Sequence, residues 1–365
     1  MATELNTTLP TDKRAYLLRE REGPRYLLGT QLATVIASAQ SSGGLFEIVT
    51  LCGGQGDNFP FHRHSQAHEG IYILDGLVEV KLGDDSYLLA PGDYAHIPAG
   101  TKHAYHMCSH HSRLLSVTSK GAVAQIYALL GTPTDLHVHP PHGAVMDLAA
   151  RLAQLRDEVD FELVPEAMAG GKAQPVINVA VPDGAVPYVI ASGGGVHRVV
   201  GRELYVLLAT QANTNGEFIV LHNEGPAGHA IIQHVHEQHT ETFFSTKGRM
   251  TMWANGEEHQ LEPGDFLHVP AGTVHSFRLD SHYTSFFSVL APGLFEPFFH
   301  ILGSPYEGYI FPAEPGPNRS DRLLQKIQAG ELDLKIVGPP PDGSGDTGGP
   351  SGDPSRPHSP NQPQA

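Results

Sequence analysis

Short apolar runs broken by turn residues fill most of this chain. From Tyr16 they read YLL, YLLGTQLATVIAS, LFEIVTL, IYILDGLVEVKLG, SYLLAPGDYAHIPAG and RLLSVTS. From Pro187 they resume as PYVIAS, ELYVLLATQ, GEFIVLHN, HAIIQHVH, TFFSTKGRMTMWANG, HQLEPGDFLHVPAG, HSFRL and YTSFFSVLAPG. Runs of this length predict β-strands joined by tight turns. Asp75-Gly76 and Gly83-Asp84 offer the positive-φ positions that hairpins need, and Gly76 would close the hairpin after Ile71–Leu74. A helical period is scarce. It predicts one helix over Ala144 to Asp157, with Val145, Leu148, Leu152 and Leu155 on one face, and a second over Arg319 to Gln328. LDLKIV adds a final strand. The pattern as a whole is that of an all-β protein, a barrel or sandwich.

The pattern occurs twice. His62, His64, Glu69 and His103 recur as His234, His236, Glu241 and His275 at a constant offset, since 234 − 62 and 275 − 103 both give 172. Tyr16 and Tyr188, and Gly131 and Gly303, keep the same offset. A period this long marks a duplicated domain rather than a solenoid repeat. His62 and His64 lie two apart, so on a strand they share a face. Glu69 follows a short loop, and His103 arrives on another strand after GDYAHIPAGTKH. Three imidazoles and a carboxylate converging in one barrel would hold a divalent metal with positions left open for substrate. With no thiolate in the set, Mn, Fe, Co and Ni all fit, and zinc fits chemically. Strand parity from Glu69 turns Ile71 and Ile73 inward, with Phe243 and Ser245 in the second copy; past the last histidines it turns in Tyr105 and Phe277. These form a candidate pocket, apolar and without arginine.

Composition narrows the partners. Lys and Arg number 23 against 39 Asp and Glu, a net charge of −16, which disfavours nucleic acid and anionic membrane surfaces. Two cysteines, Cys52 and Cys108, make no disulfide framework and are expected reduced and buried. MATELNTTLPTDKR has no apolar run, so neither a cleavable signal nor a membrane span is expected, and the expected location is the cytosol. Among the remaining histidines, His68 and His239 just ahead of the two glutamates are read as rim or supporting residues. His96 and His268 are read as packed beside the sites, and His137, His139 and His142 in LHVHPPHG as surface loop.

The ligand sets with Gly76, Gly92, Pro98 and Gly100 match the two cupin motifs. The chain from about Arg14 to Val337 resembles the bacterial bicupin quercetin 2,3-dioxygenases, on stretches such as YLLGTQLATVIA, HTETFFSTKGRMTMW and PGLFEPFFHILGSPYEGYIFP. The resemblance implies two tandem cupin, jelly-roll-like barrels with one divalent transition metal each. It implies a dioxygenase that cleaves the central ring of a flavonol such as quercetin with O2 to a depside and carbon monoxide. Glu69 and Glu241 would double as bases for the 3-hydroxyl proton, and a homodimer is implied. The alternatives are another metal-dependent bicupin enzyme, oxalate decarboxylase-like, or a non-enzymatic small-molecule binder. The expected organisation is an arm (1–13) packed on or swapped to the other barrel, a first barrel (14–133), a linker with one helix (134–185), a second barrel (186–312), a helix and strand (313–337), and a disordered Pro/Gly-rich tail (338–365).

Overall fold

A computed structural model describes residues 6–120, 123–142, 148–153, 155, 159–164, 172–317 and 319–344. Its strands form four sheets, two to each barrel. In the first barrel, an eight-stranded sheet through Gln31–Ala37, Phe46–Gly53, Ser112–Ser119 and Glu69–Asp75 faces a six-stranded sheet through Asn58–Arg63, His103–Met107 and Val78–Leu82. In the second, an eight-stranded sheet through Glu203–Ala209, Ile219–Gly225, Thr284–Ala291 and Thr240–Lys247 faces a five-stranded sheet through Met250–Ala254, His275–Leu279 and Gln233–Val235.

The apolar runs are continuous because both faces of the eight-stranded sheets are covered. Along each strand, alternate residues point to opposite faces. Val35, Val49 and Leu114 enter the first barrel's interior, while their neighbours Ile36, Ile48 and Leu115 pack against Val206, Phe244 and Phe287 of the second barrel. The two large sheets therefore share a core between the barrels, and each barrel has its own core inside.

The barrels also exchange strands. Tyr16–Leu18 pairs with Phe266–Val269 of the second barrel, Tyr16 opposite His268. Tyr188–Ile190 pairs with Tyr94–Ile97 of the first, Tyr188 opposite His96. The Tyr188 hydroxyl donates to the Leu208 carbonyl at 2.7 Å, and the Tyr16 hydroxyl to the Ile36 carbonyl at 2.8 Å. Each tyrosine thus sits on one barrel's strand and bonds the other barrel. His96 and His268 are fully buried at these two seams, away from the ligand clusters.

Gly76 has φ 73°, and a Cβ there would stand 2.3 Å from the His111 carbonyl oxygen, so the hairpin turn needs glycine.

Several expectations change. The stretch 134–185 is more than a linker: Glu162–Leu163 and Gln174–Pro175 extend the first barrel's smaller sheet, alongside Asn58–Arg63 and Asp85–Leu89. The helix expected from Ala144 to Asp157 is short, Leu148–Leu152, with Leu155 already outside it, and 144–147, 154, 156 and 157 lie outside the described residues. Three helices are new: the single turn Ala39–Ser42, then Val123–Leu130, and Glu296–Ile301 following the 3-10 turn Gly293–Phe295. The last two hold consecutive large apolar residues that read equally well as strand. The expected second helix spans Ser320–Gln328. The tail is packed at its start. Lys335–Gly338 pairs with Gln233–Val235, and Asp342 accepts from the Ala230 amide at 3.0 Å. Residues 345–365 lie outside the described residues. Both cysteines are free but only half-buried, since each lies near a rim of the first barrel. Among the described residues, no helix is long and apolar enough to cross a membrane.

Because each barrel holds a strand of the other, the two should unfold together. Tyr188→Ala removes a buried side chain at the seam and is expected to lower stability by about 3 kcal/mol. A single denaturant transition shifted as a whole would be seen by fluorescence and circular dichroism. Two separated transitions would show that the exchanged strands do not couple the barrels.

Candidate metal centres

The strand register brings the ligand candidates together. In the first barrel, His62 lies directly opposite His103 across two antiparallel strands, and His64 follows one residue past the strand end. Glu69 starts the strand Glu69–Asp75 on the facing sheet. All four are buried, and one ligand atom from each falls within 4.8 Å of the others. The second barrel repeats this with His234 opposite His275 and with His236 beyond the strand. Its three histidines form such a group by themselves. Glu241 joins them through His275, Oε2 to Nε2 at 3.2 Å, and through His236, Oε1 to Nε2 at 3.5 Å.

Each imidazole is held by its outer nitrogen. Nδ1 of His62, His103, His234 and His275 donates to the carbonyl two residues earlier, at 2.9, 2.9, 3.0 and 3.0 Å. Nδ1 of His64 donates to the Asp160 carbonyl and that of His236 to the Asp333 carbonyl, both at 2.5 Å. A proton on Nδ1 leaves Nε2 as a bare lone pair facing the centre. Nε2 of His64 and of His236 is buried with no hydrogen-bond partner, the orphaned atom that a cation would satisfy. The residues present therefore fit a divalent metal in each barrel.

Glu69 Oε2 lies 2.9 Å from His103 Nε2, and its Oε1 accepts from the Ser116 hydroxyl at 2.6 Å. Burial pushes the Glu69 carboxyl up, but the neighbouring His103 and His64 outweigh it and hold the group well below the usual range. Burial first, then His103 and His64, pushes His62 well below the ordinary imidazole value, so it stays neutral.

The two centres differ around this common plan. Ser288, the repeat partner of Ser116, turns to the Thr242 carbonyl instead of Glu241. Its place at Glu241 Oε1 is taken by His239 Nε2 at 3.4 Å, and His239 Nδ1 is anchored on Asp333 Oδ2 at 2.7 Å. Burial opposes charge on His239, but Asp333 and Glu241 together hold its pKa above the ordinary value. His68 is not its counterpart. It lies beside Asn215 at 3.4 Å and stacks 5.9 Å from His96, with no contact to Glu69.

The cavities differ more. Over the second centre lies a cavity of about 390 Å³ that reaches His234, Glu241 and His275. Its walls include Phe243, Phe277, Phe286, Phe295, Phe298 and Phe299, and no lysine or arginine among the described residues lines it. Among the described residues, the first centre borders a cavity of about 10 Å³ beside Tyr105, Val123 and Tyr127. There the Tyr105 hydroxyl donates to Gln31 at 2.7 Å and meets the Tyr127 hydroxyl at 3.3 Å, closing the space that Phe277 and Phe299 leave open in the other copy.

Of the pocket candidates, Phe243 and Phe277 line the large cavity and Tyr105 the small one. Ile71 and Ile73 face the first barrel's interior as predicted but pack in its core without lining the cavity. Ser245 lines instead a cleft between the barrels. Four residues along a strand from Glu241 is about 13 Å, beyond the cavity's reach.

Asp160 and Asp333 were not apparent in the pattern of the ligand motifs. The Asp160 carboxylate accepts the amides of Ser65, Gln66 and Ala67, and Asp333 those of Glu237, Gln238 and His239, so each clamps the loop between the second histidine and the glutamate. A signal existed. VDFELV and LDLKIV, Val159 to Val164 and Leu332 to Val337, are repeat partners displaced by one residue from the main offset.

A duplicated double-sheet barrel with such a cluster inside each copy defines the protein's class, that of the bicupins. The family model for the cupin domain matches residues 50–118 and 223–287. A quercetin 2,3-dioxygenase of Bacillus subtilis (strain 168) is 53% identical over 339 residues, spanning 93% of this chain and 100% of its own. A quercetin 2,3-dioxygenase of Aspergillus japonicus is 32% identical over 131 residues, 34% of this chain and 37% of its own. The chain belongs to the quercetin 2,3-dioxygenase family of bicupins. An oxalate decarboxylase of Lactobacillus farciminis, solved as a formate complex, superposes with a TM-score of 0.51 at 14% identity over 79% of this chain and 88% of its own, a likeness of fold alone.

Asp160→Ala removes the acceptor of three loop amides while keeping the carbonyl that holds His64. It is expected to weaken metal retention in the first barrel by about 10- to 100-fold, the range for supporting residues of metal sites. Metal content after dialysis against a graded chelator should fall toward one ion per chain. Unchanged retention of two would show that the clamp does not matter.

Proposed function

We propose that this chain is a metal-dependent dioxygenase that opens the central ring of a flavonol such as quercetin with O2, yielding a depside and carbon monoxide, with most turnover in the second barrel. The observation that carries this is the phenylalanine-walled cavity of about 390 Å³ that ends on His234, Glu241 and His275. A flat polyphenol fits such walls, whose rings can stack on its faces. Phe295 and Phe298 already form a near-parallel pair, 4.7 Å apart at 15°. A small dianion such as oxalate would need a cationic side chain there, and no lysine or arginine among the described residues lines the space.

His62, His64, Glu69 and His103 would hold one divalent ion, and His234, His236, Glu241 and His275 the other. Manganese, iron, cobalt or nickel, when bound, would supply Lewis-acid polarisation of the flavonol 3-hydroxyl. Glu241 takes the proton from that hydroxyl on a carboxylate oxygen. His239, 3.4 Å from Oε1 and anchored on Asp333, steadies the carboxylate in the orientation that receives it. The phenylalanine walls exclude water while the electron-rich ring meets O2. Glu69, pinned by Ser116 and His103 in a nearly closed space, is the corresponding group of the first barrel. The functional unit in this reading is a homodimer, on the family likeness.

Protein loaded separately with Mn, Fe, Co and Ni should consume quercetin aerobically, with stoichiometric carbon monoxide in the headspace and loss of the flavonol's near-visible absorption. Glu241→Gln should cut kcat by about a hundredfold or more, the scale of general-base catalysis, with metal content checked in parallel. Glu69→Gln should leave most of the turnover. No carbon monoxide with any metal at full loading would sink the flavonol reading, and the reverse ranking of the two variants would move the activity to the first barrel.

The cavity also depends on the chain's end, because Leu334 and Pro340 line it. Truncation after Ser344 should leave turnover unchanged. Truncation after Val337 removes Pro340 and Asp342 and should raise KM for quercetin several-fold. Equal kinetics for both truncations would show that the closing strand's extension does not shape the pocket.

A further inference from the structure

Outside the two barrel interiors, three side chains from separate segments converge at one rim of the first barrel. Cys52 ends the strand Phe46–Gly53, His111 sits in the turn before Ser112–Ser119, and His139 lies beyond Thr132–Pro133. One ligand atom from each is within 4.8 Å of the other two. Cys52 Sγ stands 3.7 Å from His111 Nδ1, and the two imidazole rings lie nearly parallel, 5.5 Å apart at 22°. The His139 ring is backed by Gly54, where a Cβ would come within 3.2 Å of Cε1, and its Nδ1 is buried with no hydrogen-bond partner.

The duplication supplies a control. At the same offset, the second barrel has Glu224, Tyr283 and Phe311. There the Tyr283 hydroxyl donates to Glu224 Oε2 at 2.5 Å, the Phe311 amide donates to Glu224 Oε1 at 3.0 Å, and the two rings lie 5.9 Å apart. The same three positions meet at both junctions. Structural closure therefore needs no thiol and no imidazole. In the first barrel all three positions carry transition-metal ligands instead.

We propose that Cys52, His111 and His139 form a third metal site, distinct from the two barrel centres, that binds zinc. A thiolate and two neutral imidazoles suit zinc's preference for sulfur and nitrogen, and water can complete a tetrahedron on the open side. Burial raises the Cys52 thiol's pKa, so the sulfur stays protonated until a cation displaces the proton. Burial and the neighbouring His139 lower the pKa of His111, which leaves it neutral and ready to ligate. Zinc there would fasten the segment around His139 to the barrel rim. This segment follows the helix Val123–Leu130, whose Val123, Ile126 and Tyr127 wall the first centre's small cavity. The other cysteine has a poorer set. Cys108 neighbours His106 and Glu79, but Glu79 already accepts from Ser86 at 2.6 Å and lies 4.0 Å from Lys81. The proposal does not depend on the flavonol reaction.

Cobalt(II) is the probe, because thiolate ligation gives a near-ultraviolet charge-transfer band that histidine and carboxylate ligands cannot give. The full chain, with both barrel centres filled, should develop this band on a further equivalent of cobalt and lose it on adding zinc. Cys52→Ser should abolish the band and Cys108→Ser should retain it. His139→Phe and His111→Tyr, which install the second barrel's own residues and so should fold, should each weaken binding about tenfold or more, at least the scale of supporting residues. Absence of the band would overturn the proposal. So would a band lost in Cys108→Ser but kept in Cys52→Ser, or affinity unchanged in both histidine variants, which would mark a lone thiol.

Discussion

The hydrogen bond from each histidine's Nδ1 to a main-chain carbonyl is the constraint on which both centres rest. It fixes the tautomer, aims Nε2 inward and leaves that lone pair without a proton. Six such bonds in two barrels mean that the donor sets are in place before any ligand arrives. Four of them close on the carbonyl two residues back, so the strand supplies them unaided. The remaining two draw on Asp160 and Asp333, residues far along the chain whose main-chain carbonyls hold a ring while their carboxylates clamp the adjoining loop. Metal affinity is thereby tied to the docking of two late segments, Glu162–Leu163 and Lys335–Gly338, as added strands beside the first histidines.

Duplication gave two copies of this frame, and the copies have drifted where the frame does not constrain them. Ligand register is kept because a one-residue slip would turn every ligand to the opposite face. The walls are free to change. A phenylalanine pair in the second barrel corresponds to a hydroxyl-bonded tyrosine pair in the first, and among the described residues the cavity that the pair borders measures about 390 Å³ in the second barrel and about 10 Å³ in the first. Loss of two hydroxyls leaves rings with no fixed partners at that end, and hence an apolar cavity rather than a packed one. The carboxylate's second oxygen has diverged as well, to a serine in one barrel and a histidine–aspartate pair in the other.

Much of this was legible in the chain. The eight ligand candidates, the duplication and the all-β architecture followed from spacing and alternation, because barrel strands convert sequence parity directly into inside and outside. Three kinds of feature did not. The helix Val123–Leu130 reads as one more apolar run, since short buried segments carry no decisive period. Asp160 and Asp333 fell outside the main repeat by a single residue, so the constant offset passed over them. Ser245 obeyed the parity rule but lay too far along its strand, because parity gives direction and not depth. The opening packed residues of the tail, Pro340 and Asp342, were hidden by a Pro/Gly-rich composition that continues to the last residue.

The strand exchange explains why divergence of the walls did not separate the barrels. Tyr16 and Tyr188 are repeat partners, and each completes the opposite barrel while hydrogen-bonding back across the seam. Neither barrel closes its large sheet without the other, and the core between them is built from both. A change in one cavity is therefore made within a scaffold that the other barrel continues to support. The first barrel can lose open volume over its centre, and acquire at its rim the thiol and imidazoles absent from its twin, without losing its fold. That freedom comes from the shared core, and it allows one duplicated chain to hold two similar ligand sets beneath differently shaped walls.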